Sequence, residues 1–156
     1  MSEQANEQHF SIDKIYIKDV SFESPNTPAM FMGGKEWKPE LNVQINSNHA
    51  SVGDNLYEVV LTITVTAKQQ EQTAFLVEIK QAGIFTIKGF DEANLGGMLG
   101  AYCPETLFPF AREEISSLVT NGGFPPLLLA PVNFNAMYQQ HLQQQAAAEG
   151  QQETAH

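Results

Sequence analysis

Cys103 is the residue of this chain best suited to nucleophilic chemistry, because a thiolate activated by a nearby histidine is a strong nucleophile. The sequence has four histidines, scattered along 156 residues, and two of them lie in its terminal segments. Cys103 itself stands between a tyrosine and a proline, at the boundary of two predicted elements. The pattern favours a small buried apolar side chain. A small enzyme that uses Cys103 stays open as an alternative.

Other patterns that could do chemistry are incomplete. The sequence has no paired histidine or cysteine motif with metal-ligand spacing, so we expect no resident metal and no cofactor. Gly96, Gly97 and Gly100 lack the lysine and hydroxyl residue that follow in a phosphate-binding loop. Glu113 and Glu114 are helical neighbours that point apart, which does not suit acid–base work. The residues therefore favour a protein that is not an enzyme.

The charge balance narrows the classes of partner. The chain carries 8 basic and 18 acidic side chains, a formal net charge of −10. This balance argues against nucleic acid and against an anionic membrane surface, since both need clustered Lys and Arg. The single cysteine fits a reducing compartment, and the polar, acidic N-terminus has no signal-peptide features. No apolar stretch approaches a membrane span, so the sequence predicts a soluble, cytoplasmic protein.

Four segments of the first two-thirds are typical of β-strands, because they are rich in β-branched residues or alternate apolar with polar side chains. They are residues 10–23, 40–46, 58–66 and 74–87. Apolar residues fall on both parities of the first segment, which a β-bulge or burial on both faces explains. A long connection over residues 24–38 carries methionines and aromatics, which indicates either packing over a core or a binding surface.

The last third is predicted to be helical. A weak helix is expected over residues 91–100, a stronger one over 108–120, and a third beginning near Asn133. Three prolines predict an extended segment over residues 124–132. Strands followed by helices indicate an α+β fold with an antiparallel sheet. We expect one domain over residues 10–145, with unstructured tails over residues 1–9 and 146–156.

The parity of the strands predicts an acidic patch. Asp19 and Glu23 share one parity of the first strand, while Leu76 and Glu78 lie opposite the core residues of the fourth. If these two strands are neighbours, the carboxylates form one surface, and the alternative is an ordinary solvated sheet face. Gln81 is a polar residue in an apolar row, which a subunit interface or a bend at the following glycine explains.

Six segments of the sequence, in order between about residues 10 and 145, resemble the SecB family of protein-export chaperones. No single segment is diagnostic, and their specificity comes from the set. Numbered in this chain, they are residues 15–26 (IYIKDVSFESPN), 57–61 (YEVVL), 83–85 (GIF), 99–104 (LGAYCP), 107–113 (LFPFARE) and 129–134 (LAPVNF).

The resemblance implies a subunit with a four-stranded antiparallel sheet, Greek-key-like because a long crossover loop follows the first strand, and C-terminal helices packed on one side. It implies a homotetramer built as a dimer of dimers. It also implies an ATP-independent holdase that binds unfolded precursor proteins and delivers them to the SecA motor ATPase. The zinc-carrying C-terminal tail of SecA belongs to that partner. The alternative is a SecB-like chaperone dedicated to an antitoxin in a toxin–antitoxin system.

The resemblance also implies which residues form each surface. The SecA-binding patch maps onto Asp19, Glu23, Leu76 and Glu78, the same residues that parity places outward. The tetramer interface maps onto Val77, Ile79 and Gln81. The groove that binds clients, the unfolded precursors, is expected to be lined by Phe31, Trp37, Leu41, Val43, Phe134, Met137, Tyr138 and Leu142. The sequence departs from the family at residues 96–100, where a Met-Ala-His-Cys-Leu-Gly type of segment is common, so the family pattern does not define the local helix there.

Overall fold

One antiparallel sheet forms the first part of the chain, and helices pack on one of its faces. The computed structural model describes residues 7–154, with the backbone alone for residues 152–154. The strands are β1 (His9–Glu23), β2 (Glu40–Gly53), β3 (Leu56–Gln69) and β4 (Gln72–Lys88). The helical elements are α1 (Glu92–Gly97), a π-helical segment (Met98–Tyr102), α2 (Cys103–Asn121) and α3 (Phe134–Thr154). The α+β fold expected from the sequence is confirmed.

The strands lie in the order β1-β4-β3-β2, and every neighbouring pair is antiparallel. Tight hairpins join β2 to β3 and β3 to β4. The second hairpin turns at Gln70 and Glu71, which both have positive φ, the conformation of a two-residue turn that matches the strand twist. The long connection between β1 and β2 crosses to the far edge of the sheet. The Greek-key-like topology is therefore confirmed.

The helices cover one face of the sheet, called here the inner face, and leave the outer face open. The strand β3 shows the alternation most clearly, since its inner residues Val59, Leu61, Ile63 and Val65 are fully buried. Residues that pair across antiparallel strands point to the same face. A row such as Ile79–Ile63–Ile45 therefore runs across three strands on the inner face. The buried core lies between these rows and the helices.

Two irregularities explain the confused alternation of β1. Its register against β4 shifts between Ile12 and Lys14 and again between Ile17 and Asp19. An extra residue at each shift changes the parity of the side chains that follow. Ile12, Ile17 and Val20 consequently all lie on the inner face, opposite Phe85, Gln81 and Ile79. The bulge that the sequence analysis considered is confirmed.

The helix α2 supplies most of the cover over the sheet. Leu107, Ala111, Ile115 and Val119 recur at four-residue spacing and are fully buried against the inner face. The helix begins at Cys103, five residues before the predicted start. Pro104 fits there because the first turn of a helix needs no backbone donor at that position. Both Pro104 and Pro109 therefore lie within the helix.

The helix α3 begins where predicted and ends later. The Asn133 side chain accepts a hydrogen bond from the backbone N–H of Ala136 at 2.9 Å and so caps the first turn. The sequence analysis expected an unstructured tail from residue 146, but the helix continues to Thr154. Alanine and glutamine favour helix locally, and the side chains of this half are exposed up to residue 151.

The predicted N-terminal tail of residues 1–9 falls mostly outside the described residues. Of its last three residues, His9 already belongs to β1. Within residues 7–154, no helix combines the length and the apolar character needed to cross a bilayer.

Candidate functional site: two faces of one sheet

The outer patch, defined as Asp19, Glu23, Leu76 and Glu78, is assembled by the pairing of β1 with β4. Asp19 lies opposite Lys80, and Glu23 lies opposite Leu76. Glu78 stands between these rows and pairs with Ser21. Because paired residues share a face, all four side chains of the patch point away from the helices. The structure therefore brings together the residues that parity placed outward.

The chemistry of the outer patch suits a partner that is basic and partly apolar. It combines three carboxylates with the side chain of Leu76, which is partly buried among its neighbours. The hydroxyl of Thr64 on β3 donates a hydrogen bond to Glu78 Oε2 at 2.9 Å and orients that carboxylate. Lys80 borders the patch and makes no ion pair within the described residues. The patch is therefore anionic, with the cation Lys80 next to Asp19 at one of its ends.

A second polar cluster on the outer face was missed by the sequence analysis. Glu58 on β3 accepts a hydrogen bond from the Tyr16 hydroxyl and pairs with Lys18 Nζ at 2.8 Å. Lys18, and then Tyr16, lower the pKa of the Glu58 carboxyl. Desolvation, and then Glu58, raise the pKa of Tyr16 to about 12. The contacts join residues 40 or more positions apart, so only the outward parity of Glu58 hinted at them.

On the inner face, the crossover loop forms an aromatic cluster. The ring centroid of Trp37 lies 5.4 Å from that of Phe124 and 6.5 Å from that of Phe75. Phe31 lies 5.0 Å from Phe124 and keeps half of its surface exposed. Phe124, in the segment after α2, was not among the predicted site residues. Gly122 and Gly123, which precede it, indicate a turn, and nothing in the local sequence predicts an aromatic contact.

The inner face of β2 continues from this cluster and is left uncovered. Leu41 and Val43 lie opposite Ala67 and Val65, which are fully buried on β3. The two β2 side chains nevertheless remain 44% and 40% exposed, so the described part of the chain covers them only in part. Two adjacent apolar side chains therefore form an open floor on an edge strand. Such a contiguous apolar surface is typical of a binding site.

The helix α3 carries the remaining predicted groove residues, and they do not share one pocket. Phe134 is 4% exposed and packs edge-on against Phe108 at 5.6 Å, so it anchors the helix to the core. Met137 and Tyr138 line a pocket with Ile45 of β2. Leu142 lines a different pocket, whose other walls include Phe90 in the segment after β4, α1 and the π-helical segment. Tyr138 borders both pockets.

The predicted interface residues of β4 are buried within the single chain. Val77 and Ile79 are 1% and 0% exposed. They can therefore affect assembly only indirectly, by packing against residues that reach the surface. The Gln81 Nε2 donates to the backbone carbonyl of Tyr16 at 3.0 Å. Its Oε1 is buried and has no hydrogen-bond partner within the described residues. Gln81 lies beside Ile17 and Val20, two exposed apolar residues of β1.

Cys103 lies in the core, at the start of α2. Burial raises the pKa of its thiol to about 12, which disfavours the reactive thiolate at neutral pH. Within residues 7–154 no group of three or more histidine, cysteine or carboxylate side chains is arranged to hold a metal ion. The structure thus places Cys103 among packing residues, as its flanking sequence favoured.

The fold and its two surfaces are those of a binding protein. A family model described as preprotein translocase subunit SecB matches residues 3–145. Protein-export protein SecB of Nitrosococcus oceani is 57% identical over 147 residues, covering 94% of this chain and 90% of its own. That of Marinobacter nauticus is 51% identical over 158 residues, with coverages of 99% and 94%. The chain belongs to the SecB family of protein-export chaperones.

A solved structure shares the fold at much lower identity. It is a SecB-like chaperone of Mycobacterium tuberculosis in complex with a peptide from an antitoxin. The TM-score is 0.64 at 16% identity, and the match covers 79% of this chain and 90% of that one. This likeness supports the α+β architecture and says nothing about which polypeptide this chain binds.

Proposed function

We propose that this chain is an ATP-independent holdase of the cytoplasm. It binds non-native precursor proteins, keeps them competent for translocation and delivers them to the SecA motor, without catalysing a reaction itself. The observation that carries the proposal is the open apolar floor of Leu41 and Val43 on the inner face of β2. It lies between the aromatic cluster around Phe124 and the pocket below Met137.

Weak contacts spread over a wide surface suit a client that has no fixed sequence. An unfolded segment offers apolar side chains at irregular intervals, so a receptor must present several apolar contacts along its length. Methionine and aromatic side chains such as Met137, Tyr138 and Phe31 re-pack around different partners. Binding to equivalent surfaces of several subunits raises the total affinity without a sequence code. The inner face therefore supports holding rather than selective recognition.

The outer patch is the proposed docking surface for SecA, including its zinc-carrying C-terminal tail. Three carboxylates in a chain of net charge −10 attract a basic segment and accelerate its encounter. Leu76 adds an apolar contact beside Glu23, its partner on β1. Because this patch lies on the face opposite the client groove, SecA and a client can occupy the same subunit at once.

A homotetramer, arranged as a dimer of dimers, is the proposed assembly. Ile12, Ile17 and Val20 on β1 and Phe110 on α2 are exposed apolar side chains that a second subunit could cover. Gln81 stands beside them with an unsatisfied buried oxygen. We expect Gln81→Ala to lower the native mass at low micromolar concentration. An unchanged native mass would remove Gln81 from the interface.

Refolding arrest tests the holdase activity. A slow-folding precursor is diluted from denaturant with and without the protein, in the absence of nucleotide, and refolding is followed by its fluorescence. We expect stoichiometric arrest near one tetramer per client. A protein that assembles normally but arrests no precursor would contradict a general holdase and would favour a dedicated client, as in the antitoxin alternative.

Charge reversal on the outer face tests the division of labour. We expect Glu78→Lys to weaken SecA binding while refolding arrest persists. Asp54→Lys is the matched control, since it makes the same charge change in the hairpin at the opposite end of the sheet. Equal loss of SecA binding in the two variants, or loss of client holding in Glu78→Lys, would refute a separate docking surface.

A further inference from the structure

The helix α3 lies unusually close to the chain that precedes α2. Its Tyr138 ring sits over Gly96 in α1 and Gly100 in the π-helical segment. A Cβ atom built on Gly100 would lie 2.4 Å from Tyr138 Cδ2, and one built on Gly96 would lie 2.7 Å from the Tyr138 hydroxyl oxygen. Both separations are below van der Waals contact. This close approach therefore depends on glycine at both positions.

The two glycines meet different atoms of Tyr138. At Gly100 the nearest atoms are ring carbons, which phenylalanine would also have. At Gly96 the nearest atom is the hydroxyl oxygen, and the next atom, Tyr138 Cζ, is 3.9 Å away. A Cβ at Gly96 would therefore clash with the hydroxyl and with nothing else nearby. A Cβ at Gly97, between them, would meet no atom within 4 Å and would lie in open space.

No local conformation requires glycine at position 96. Gly96 lies inside a helix and has no positive φ, so alanine would favour the helix there by reducing the entropy lost on folding. Among the described residues, the only atoms within 4 Å of a Cβ at this position are those of Tyr138, and the hydroxyl oxygen is the nearest.

The position of Tyr138 matters because its side chain is the wall between two pockets. On one side lie Ile45, Met137 and His141, between β2 and α3. On the other side lie Phe90, Met98 and Leu142. A methyl group at Gly96 would push the Tyr138 ring outward, and because Tyr138 borders both pockets this displacement would change the width of both together. Gly96 would thus control a dimension of the client groove without lining either pocket.

We propose that Gly96 is a positioning residue of the client groove: the space it leaves for the Tyr138 hydroxyl sets how close α3 lies to the sheet. This inference rests on the proposed holdase function for its role in client binding. The proposal also predicts which pairs of substitutions the protein tolerates. Alanine at position 96 is tolerated only when position 138 carries no hydroxyl, whereas alanine at position 100 is not tolerated with either tyrosine or phenylalanine at position 138.

A double-mutant cycle on the full-length protein tests the proposal. The variants are Gly96→Ala, Gly100→Ala and Tyr138→Phe, with both glycine variants also combined with Tyr138→Phe. Gly97→Ala is the control for exchange in α3, because it adds the same methyl group without meeting any atom within 4 Å; it does not serve as a control for the Kd, since Gly97 lines the pocket of Leu142. Two quantities are measured for each: the Kd for a permanently unfolded polypeptide, and the rate of amide hydrogen exchange in residues 137–142.

We expect Gly96→Ala to raise the Kd by at least about twofold, near the lower limit for residues in contact. It should also speed exchange in α3. Adding Tyr138→Phe should return both quantities to the wild-type range. Gly100→Ala should impair both and stay impaired with Tyr138→Phe, while Gly97→Ala should leave exchange in α3 unchanged. A general loss of fold would not show this selective rescue.

The proposal is overturned if Gly96→Ala leaves α3 exchange unchanged, or if Tyr138→Phe fails to rescue it. It is also overturned if exchange changes with no change in the Kd. If the wild-type protein binds no unfolded polypeptide, the proposed holdase function is contradicted instead. In that case the exchange cycle still decides whether Gly96 positions α3.

Discussion

The two faces of the sheet differ in what covers them and in how each could recognise a partner. On β3 the inner residues are fully buried under helices, whereas Thr62, Thr64 and Thr66 of the outer face stay partly accessible. On β2 the cover is missing, so apolar side chains of the inner face reach solvent. Apolar surface without cover suits promiscuous binding, while ordered charge on the outer face suits one partner.

Within a single row of the inner face, covered side chains contribute to stability while an uncovered one is available for binding. Val77 and Val65 lie in the buried part of the inner face, and Val43 continues the same row at the open edge. The chemistry of the three side chains is identical. Their roles differ because Val65 and Val77 are buried, whereas Val43 keeps 40% of its surface exposed. The exposed apolar surface at Val43 therefore results from incomplete cover at this edge of the sheet, not from an unusual strand sequence.

The largest expected effect comes from the covered part of the inner face. We expect Ile63→Ala to lower the free energy of unfolding by about 2–5 kcal/mol, since it removes buried methyl groups and leaves a cavity. Thr62→Ala, its neighbour on the outer face, should cost less than about 1 kcal/mol. Urea unfolding at one fixed protein concentration measures both. Similar losses for the two variants would contradict the assignment of the faces.

A second substitution tests the uncovered part of the inner face. We expect Val43→Ser to weaken client binding by about tenfold, because a buried valine contact is worth roughly 1.5 kcal/mol or more. Stability should change little, since the side chain is already partly exposed. Asn42→Ser, one residue earlier on the outer face, is the control. Titration of a labelled unfolded polypeptide measures the Kd, and equal effects of the two variants would count against the groove.

Salt should distinguish the two faces without mutation. We expect SecA affinity to fall several-fold as salt rises from about 0.05 to 0.5 M, because screening weakens attraction between exposed charges. Client affinity should fall much less, or rise, since apolar contacts are not screened. Parallel binding isotherms over the salt series give both slopes. A client affinity that falls as steeply as that of SecA would show that charge also dominates the inner face.

The smallest expected effect lies in the outer-face cluster around Glu58. Its pKa is lowered in the folded chain, so its stabilising contribution is present above the unfolded-state pKa and is lost as pH falls through the folded value. We expect Glu58→Gln to cost less than about 1 kcal/mol at pH 7, because the pair with Lys18 is partly exposed. The difference in the free energy of unfolding between the two proteins should be smaller below the ordinary glutamate pKa than at pH 7, and urea unfolding at both pH values measures it. A difference that grows in acid would contradict a lowered pKa for Glu58.

Much of this architecture follows from local sequence. Alternation in residues 58–66 predicted one buried and one open face of β3, and parity placed Leu76 and Glu78 on the outer side of β4. Each of those inferences needed only the two-residue period of a strand. The same rule could not resolve β1, because a bulge shifts the period at positions that the sequence does not mark.

What the sequence could not predict depends on contacts between distant segments. Phe124 meets Trp37, and Glu58 meets Tyr16 and Lys18, only after the chain has folded. The sequence of the crossover loop allows two interpretations, packing over a core or a binding surface, and its aromatics serve both, since Trp37 packs over the core while Phe31 stays half exposed. In the sequence, Gly96 is only a departure from the family pattern, and its proximity to Tyr138 is visible only in the folded chain.

Trp37 gives the molecule a built-in optical reporter. It is the sole tryptophan of the sequence, and its ring lies against that of Phe124 at one end of the apolar inner face. A polypeptide that settles there would change the polarity around the indole and shift its emission. A polypeptide held only near Tyr138, at the other end, would leave that emission unchanged. Ordinary fluorescence of the unlabelled protein thus distinguishes which end of the surface a client reaches first.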